Sequence, residues 1–158
     1  MPLFPNHKDA LYFSMDDSTE LLSRFSDHSF ELDGRLWQTV EHYYQTMKFD
    51  NASYKEKIAN ASDAATARKL GEARFKKKRA DLKQVRKTLM TRALYIKAKT
   101  HNEVSSRLLE TGDVSLVENS QFNYYWGCGR DHRGDNHYGK ILMNVREKLR
   151  GELSEDQA

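Results

Sequence analysis

The chain has 158 residues, of which 38% are hydrophobic and 31% are charged, and its formal net charge is +3 at neutral pH. This balance is that of a soluble globular protein and excludes a transmembrane one, because no apolar run approaches the roughly 18 residues that a membrane span requires. We expect one domain over residues 1–158, with residues 152–158 forming a flexible tail. The N-terminus lacks the pattern of a secretory leader. The single cysteine excludes an internal disulfide framework, so a reducing, cytoplasmic setting is expected.

Short strands are predicted for the first part of the chain. Residues 11–14 could form one strand, and residues 30–32 and 35–37 could form two more. The latter two flank Asp33-Gly34, a dipeptide that marks a tight hairpin because glycine tolerates the positive φ that such a turn requires. The sequence therefore predicts a β-hairpin that leads directly into the segment that follows.

That segment, residues 37–49, combines polar and aromatic side chains in an unusual way. A helix that opens with Thr39 as its N-cap would place Glu41, Gln45 and Lys48 on one face. Glu41 would then lie near the positive end of the helix dipole, where an ionised carboxylate is favoured. The surrounding residues are mostly aromatic: Trp37, Tyr43, Tyr44, Met47 and Phe49. A carboxylate and an amine in one dry cleft can act as acid, base or nucleophile, although this spacing is also common on solvated helices.

The rest of the chain is predicted to be mainly helical, and its apolar residues recur at helical spacing. The predicted elements are helices over residues 54–60, 63–73 (N-cap Ser62), 81–99 and 102–111 (N-cap Asn102, stop Gly112), a strand over 114–118, and a last helix from 136 or 137 to 150, ended by Gly151. The predicted fold class is α+β and mainly helical, a single multihelical domain with a small antiparallel hairpin or sheet near the N-terminus.

Residues 68–92 form a basic block. They contain eleven lysines and arginines, which only Glu72 and Asp81 oppose. Such a block suits phosphate-bearing ligands or nucleic acid, but it is equally typical of a solvated helix face.

Residues 124–139 form a second informative stretch because they contain three closely spaced glycines, Gly127, Gly129 and Gly134. Glycines allow the backbone to approach a ligand, and the stretch ends at a helix N-terminus that suits an anion. The order of residues is neither that of a Walker loop nor that of a dinucleotide fingerprint. A phosphate site and a purely structural turn both remain open.

The same stretch suggests two further kinds of site, a thiol nucleophile and a metal site. Cys128 beside His132 and His137 could indicate a thiol nucleophile, and the two histidines with Asp131 and Asp135 could bind a metal. One cysteine near a histidine is usually incidental, and these spacings are not those of an established metal site. Neither a metal nor a cofactor is expected.

These motifs together resemble the YbiA-like family, also called NADAR, over about residues 12–149. The resemblance is carried by residues 33–37, 41–45, 48–49, 111–113, 116–118 and 126–127, by Gly134 and Asn136, and by residues 139–143 with Arg146. Members of this family are N-glycosidases that act on phosphoribosylamino-pyrimidine intermediates of riboflavin synthesis, or that remove ADP-ribose from guanine bases.

The resemblance implies that Glu41 and Lys48 are catalytic. The residues expected to bind the substrate are Ser23, Arg24, Phe25, Trp37, Tyr44, Trp126, Gly127, Gly129, Asp131 and Asn136. The expected partner is a small phosphorylated N-glycoside or ADP-ribosylated guanine, with nucleic acid as a possible substrate and no membrane. The oligomeric state stays open.

The chain departs from the family pattern at three positions. Arg24 stands where the family often has asparagine, Leu82 where it often has tryptophan, and Asn123 where it often has aspartate. A lost tryptophan would remove a stacking platform, and Arg24 could add a phosphate clamp.

The residues predict a mechanism in which Glu41 moves protons and the neutral amine of Lys48 attacks ribose C1 to form an imine. Whether the pKa of Lys48 is lowered by burial or raised by Glu41 cannot be read from the sequence. The alternative is a non-catalytic binder of nucleotides or nucleic acid, built on the basic block with aromatic stacking surfaces.

Overall fold

A computed structural model describes residues 9–157, which contain six helices and four short strands. In chain order these are β1 (Ala10–Phe13), β2 (Phe30–Leu32), β3 (Arg35–Trp37), α1 (Val40–Thr46), α2 (Ala52–Ala59), α3 (Ala64–Gly71), α4 (Leu82–Thr100), α5 (Asn102–Glu110), β4 (Ser115–Glu118) and α6 (His137–Asp156). The predicted α+β, mainly helical class is confirmed. The expectation about a secretory leader concerns residues outside the described range.

The predicted hairpin is confirmed in position and register. Strands β2 and β3 pair antiparallel, with Phe30 opposite Trp37. Asp33 and Gly34 have φ values of 54° and 76°, the left-handed conformation that a two-residue hairpin turn requires. Thr39 then caps α1, as predicted, because its side chain accepts a hydrogen bond from the His42 backbone N–H at 3.2 Å.

A second strand pair joins distant parts of the chain. Strand β1 pairs in parallel with β4, with Leu11 opposite Leu116. The central helices α4 and α6 pack against each other, and α6 also packs on β4. The apolar side chains between them form the main core, which includes Met90, Ala93 and Tyr138. None of the helices in residues 9–157 is long and apolar enough to cross a membrane.

Helix α1 ends earlier than the sequence predicts. It stops at Thr46, so Lys48 lies in the turn after the helix rather than on the helical face that carries Glu41 and Gln45. The Lys48 N–H donates to the Gln45 carbonyl three residues earlier, at 3.4 Å, which tightens the last turn and ends the α-helical pattern. The prediction that Lys48 lies on one helical face with Glu41 and Gln45 is therefore wrong.

Three further helix ends differ from their predictions. The N-cap of α3 is Asp63 rather than Ser62, since the Asp63 carboxylate accepts from the Thr66 N–H at 2.7 Å. His101, not Asn102, precedes α5. Helix α6 continues through Gly151 to Asp156, and Glu152 there accepts hydrogen bonds from Tyr95 and Lys99 on α4. Residues 152–156 are therefore helical, because contacts with α4 hold the last turns in place.

Candidate active site

A cleft of about 650 Å³ opens where α1, α3, the first turns of α4 and the loop before Trp126 converge. Its walls combine aromatic rings with four cationic side chains: Arg24, Lys48, Arg68 and Arg86. This volume is typical of a small-molecule site.

Glu41 lies beneath the cleft and is fully buried. The Arg24 Nε lies 2.6 Å from its Oε2, and the Arg24 Nη2 donates to its Oε1 at 3.0 Å. Arg68 donates to both oxygens, at 3.3 and 3.2 Å, and Gln45 donates to Oε1. Burial alone would raise the pKa of Glu41, but Arg24 and Arg68 outweigh it and hold the pKa below its usual range. Glu41 is therefore an ionised carboxylate that two guanidinium groups hold in place.

The close approach of α3 to α1 fixes this arrangement. Gly71 faces Gln45 so closely that a Cβ at position 71 would lie 2.0 Å from the Gln45 Oε1. Arg68, one turn earlier on α3, forms a second ion pair with Asp16 at 2.8 Å and lies over the Phe25 ring, 4.4 Å from its centroid. Contacts between α1 and α3 thus bring a second guanidinium to Glu41 beside that of Arg24.

Lys48 presents its ammonium nitrogen to the same site, 5.3 Å from the centre of the Tyr44 ring. Only 9% of the residue is exposed. Burial and the charge of Arg24 lower the pKa of Lys48 to about 8, although Glu41 and Glu72 act in the opposite direction. A substantial fraction of this amine is therefore neutral near physiological pH.

Aromatic rings form the wall opposite Glu41. Tyr44 meets Trp126 edge to face at 5.6 Å, and the Arg24 guanidinium lies 4.7 Å from the Tyr44 centroid. Trp126 is held by Asn123, whose side-chain oxygen accepts from the N–H groups of Tyr125 and Trp126 at 3.1 and 2.8 Å. Asparagine at position 123 therefore still orders the turn, although it is neutral where the family often has a carboxylate.

Five predicted substrate-binding or catalytic residues thus line the cleft or lie directly beneath it: Glu41, Lys48, Arg24, Tyr44 and Trp126. Phe25 borders it through its contact with Arg68. The other predicted residues lie elsewhere.

Ser23 and Trp37 are buried away from the cleft. The Ser23 hydroxyl accepts from the Ser26 N–H at 3.0 Å and shapes the turn that carries Arg24. Trp37 packs edge-on against Tyr43 at 5.3 Å, and its indole N–H donates to the Leu32 carbonyl at 2.8 Å. Ser23 therefore positions the cleft residue Arg24, and Trp37 closes the hairpin.

The glycine-rich stretch packs against the end of β4. A Cβ at Gly127 would lie 2.3 Å from the Glu118 Oε2. Asn136, itself in the left-handed conformation with φ 51°, accepts from the Glu118 N–H and donates to the Leu116 carbonyl, both at 2.9 Å. These residues tie the loop to the strand rather than lining the cleft.

Gly129 and Asp131 also lie outside the cleft. Gly129 has φ 73° and lies under the Tyr124 ring, and the Asp131 side chain is exposed and accepts from the Arg133 N–H at 3.2 Å. Burial raises the pKa of the neighbouring Cys128 thiol, which favours its protonated form. Within residues 9–157, no group of three or more histidine, cysteine or acidic side chains could hold a metal ion.

Sequence reasoning missed several cleft residues. They are Asp16, Arg68, Glu72, Arg86, Phe122 and Tyr125. Two of them, Arg68 and Arg86, belong to the basic block, so a weak signal was present. Their spacing along α3 and α4 does not reveal which members of that block face the cleft.

Comparisons with known proteins show the family of this chain. The NADAR domain family matches residues 4–150. The chain is 42% identical over 135 residues to an N-glycosidase of Nostoc punctiforme, covering 84% of this chain and 86% of that protein. It is 35% identical over 138 residues to the N-glycosidase YbiA of Escherichia coli, covering 87% and 86%.

The chain is also similar to part of a longer protein and to a solved structure. A riboflavin biosynthesis protein of Vibrio vulnificus is 36% identical over 138 residues, which span 87% of this chain and 38% of that protein. The NMR structure of E. coli YbiA is similar with a TM-score of 0.84 at 33% identity, covering 98% of this chain and 96% of that one.

Proposed function

The chain belongs to the NADAR family and is a hydrolase of N-glycosyl bonds, and from that premise we propose that it cleaves the bond between ribose C1 and an exocyclic amine. Glu41 and Lys48 carry the chemistry in this proposal. The observation that supports it most is a buried ionised carboxylate bonded to the cleft residues Arg24 and Arg68, together with a buried amine in the same cleft whose pKa is lowered to about 8. Such an amine is a nucleophile near neutral pH.

The first half of the reaction transfers C1 from the substrate amine to Lys48. In its open form the sugar is joined through C1 to the exocyclic nitrogen as a protonated imine. The neutral Lys48 Nζ attacks C1 and a new C–N bond forms. Glu41 accepts the proton that Lys48 loses and returns it to the exocyclic nitrogen. The bond from C1 to that nitrogen then breaks, and the base leaves as a free amine.

The second half releases the sugar. Water adds to C1 of the Lys48 imine, the bond between C1 and Nζ breaks, and the sugar leaves as its aldehyde while Lys48 regains its amine. The sum consumes one water and produces one amine and one sugar. The negative charge of Glu41 also stabilises the positive charge at C1 in each imine.

Phosphoribosylamino-pyrimidine intermediates of riboflavin synthesis are the first substrate class in this proposal. The name of the Vibrio relative supports this class, and so does a cleft with four cations, because a phosphorylated ribose is an anion. ADP-ribosylated guanine is the second class. It is supported by Phe122, which lines the cleft and is 87% exposed, since such a ring offers a stacking surface for a second base. The single, buried cysteine is compatible with the reducing, cytoplasmic setting proposed for this activity.

A non-catalytic binder explains the site less well. Three arginines of the basic block form ion pairs within the protein: Arg68 with Asp16 and Glu41, Arg79 with Asp81, and Arg92 with Asp33. These charges are partly neutralised and do not form one free surface. A binder also has no need of a lysine with a lowered pKa.

Mass spectrometry of the products formed from each candidate N-glycoside tests the proposal. Wild-type protein should release the free amine and the sugar phosphate, and Glu41→Gln should lose most activity. Because Glu41→Gln leaves Arg24 and Arg68 without their buried counter-charge, its folding must be checked by circular dichroism.

Lys48→Gln is the cleaner partner variant, since Lys48 makes no ion pair with a carboxylate among residues 9–157. Borohydride with substrate should trap a covalent sugar adduct on Lys48 in the wild type and none in Lys48→Gln. Full activity without any adduct would instead assign Glu41 to the direct activation of water.

A further inference from the structure

Arg86 is a cleft cation without an acidic partner. Arg24 and Arg68 both form ion pairs with carboxylates, whereas residues 9–157 bring no carboxylate within ion-pair distance of Arg86. Its Nε is buried and has no hydrogen-bond partner among these residues. Because no carboxylate neutralises it, this cleft guanidinium keeps its charge for an anionic ligand.

Tyr125 fixes the orientation of this guanidinium. The Arg86 Cζ lies 3.3 Å from the centroid of the Tyr125 ring. Tyr125 is in turn packed edge-on against Trp126 at 4.7 Å and lies tilted against His137 at 4.4 Å. Contact with a supported ring holds the guanidinium in place, and because Nε is buried, the two terminal amino groups are the part that a ligand can reach. That planar fork matches two oxygens of a phosphate, which a lysine ammonium does not.

Arg86 lines the same cleft as Lys48 and Tyr44. The Lys48 nitrogen lies 5.3 Å from the centre of the Tyr44 ring, and the charge of Arg86 lowers the pKa of the Tyr44 hydroxyl against a larger effect of burial. A substrate that fills the cleft can therefore contact both Lys48 and Arg86.

We propose that Arg86 binds the phosphate carried on ribose C5 of the substrate and makes the enzyme select phosphorylated ribosyl amines over unphosphorylated ones. This inference rests on the proposed function. A monoester at C5 and the diphosphate of an ADP-ribosyl group present the same kind of oxygens to the guanidinium. The sequence predicts Arg24 as the phosphate clamp, but its Nε and Nη2 already contact Glu41. We therefore assign the binding of the substrate phosphate to Arg86.

Calorimetry with ribose 5-phosphate and with ribose tests the binding step without any need for cleavage. Arg86→Gln should weaken the binding of ribose 5-phosphate by about 10- to 100-fold and leave ribose unaffected. Arg86→Lys should be intermediate because it keeps the charge but loses the fork. Lys83→Gln, an exposed change of equal charge on the same helix, should match the wild type. Failure of the wild type to prefer ribose 5-phosphate, or equal binding by Arg86→Gln, would overturn the inference.

Kinetics with paired substrates tests selectivity. For a ribosyl amine with a 5-phosphate, Arg86→Gln should raise KM by about tenfold or more and change kcat little. For the same amine without the phosphate, neither constant should change. The same measurement with an ADP-ribosyl guanine substrate distinguishes the two phosphate sources. A similar rise of its KM in Arg86→Gln would mean that Arg86 also binds the diphosphate, and an unchanged KM would restrict Arg86 to the C5 monoester. If the wild type cleaves no substrate, the proposed function fails while the calorimetric result still stands; equal losses on both substrates would refute the role of Arg86 alone.

Discussion

The chemistry of Lys48 depends on which neighbour dominates its pKa. The sequence brings an amine near a carboxylate, which alone would raise the pKa. The structure adds burial and the guanidinium of Arg24, which pairs with Glu41 and so offsets its negative charge at Lys48. The net result is a lysine with a pKa of about 8 rather than 10.5.

This pKa predicts the pH dependence of the reaction. Because the neutral amine is the nucleophile, kcat/KM should rise with pH by up to about tenfold per unit and level off above about pH 8. Lys48→Arg should lose activity at every pH, since its guanidinium stays protonated. Steady-state rates across this range, with protein stability checked at each pH, measure the profile. A flat profile in the wild type would exclude Lys48 as the titrating nucleophile.

Residue types alone could not separate packing residues from ligand contacts in the glycine-rich stretch. Trp126, which the resemblance singles out, lines the cleft, whereas Gly127 beside it faces the Glu118 carboxylate. Arg68 and Arg86 were hidden in a uniform basic block because their positions depend on how α3 and α4 pack. Contacts between residues so far apart in sequence leave no local pattern.

The position of Gly127 predicts a loss of stability on substitution. Gly127→Ala should reduce the free energy of unfolding by about 1–3 kcal/mol, because the added methyl group would collide with Glu118 and with the Asn123 carbonyl. Gly151→Ala is the matched control. Gly151 lies inside α6 with no atom within 4 Å of an added Cβ, so alanine there should increase stability by about 0.5–1 kcal/mol. Urea unfolding of both variants measures whether each substitution lowers or raises the free energy of unfolding. Equal changes in the two variants would contradict the packing argument.

At the scale of elements, local signals were reliable where the chain itself carried the cause. Asp33-Gly34 supplies the positive φ angles of the hairpin turn, and Thr39 supplies the cap of α1. Helix ends were less predictable because tertiary contacts override the local signal. Glu152 bonds to α4 and extends α6 past Gly151, a residue that would often end a helix.

Helix α4 also holds the turn that carries Arg24. The Lys97 Nζ is buried and donates to the Ser23 carbonyl at 2.8 Å and to the Ser26 hydroxyl at 2.5 Å. Burial lowers the pKa of Lys97 to about 7, although Glu20 acts in the opposite direction. The core spacing predicted for α4 did not include this lysine, because a charged residue on a core-facing stripe looks like an interruption.

Lys97 should therefore make stability depend on pH. Between about pH 7 and pH 10 the unfolded chain keeps this proton while the folded one has lost it, so stability rises with pH by up to about 1.4 kcal/mol per unit. Lys97→Met should remove that slope. Urea unfolding of both proteins near pH 7.5 and pH 9 gives the difference in slope, in which the contribution of Lys48 cancels. Identical slopes would mean that Lys97 does not titrate in this range.

At the scale of the whole molecule, the parallel pairing of β1 with β4 is the feature that the sequence could not predict. Residues 10–13 and 115–118 are about a hundred positions apart, and each strand alone is too short to show a partner. This pairing brings Met15, just after β1, to Glu118, the last residue of β4, since the Met15 N–H donates to the Glu118 carboxylate at 3.2 Å. The segments that follow the two strands thereby bring Asp16 and the loop before Trp126 to the same cleft.

The distribution of charge over the whole molecule separates an enzyme for a small anion from a binder of nucleic acid. If a single phosphate group meets the cleft, KM should rise only a few-fold between about 50 and 200 mM salt, with kcat unchanged. A protein that engages six or more backbone phosphates would lose about a thousandfold or more in affinity over the same range. The triple variant Arg74→Gln, Lys77→Gln, Lys83→Gln removes three exposed charges of the basic block outside the cleft. This variant should keep the wild-type KM and the same dependence of KM on salt, because the attraction comes from cations inside the cleft. A steep salt dependence in the wild type that disappears in the triple variant would instead assign substrate capture to the exposed surface of the basic block.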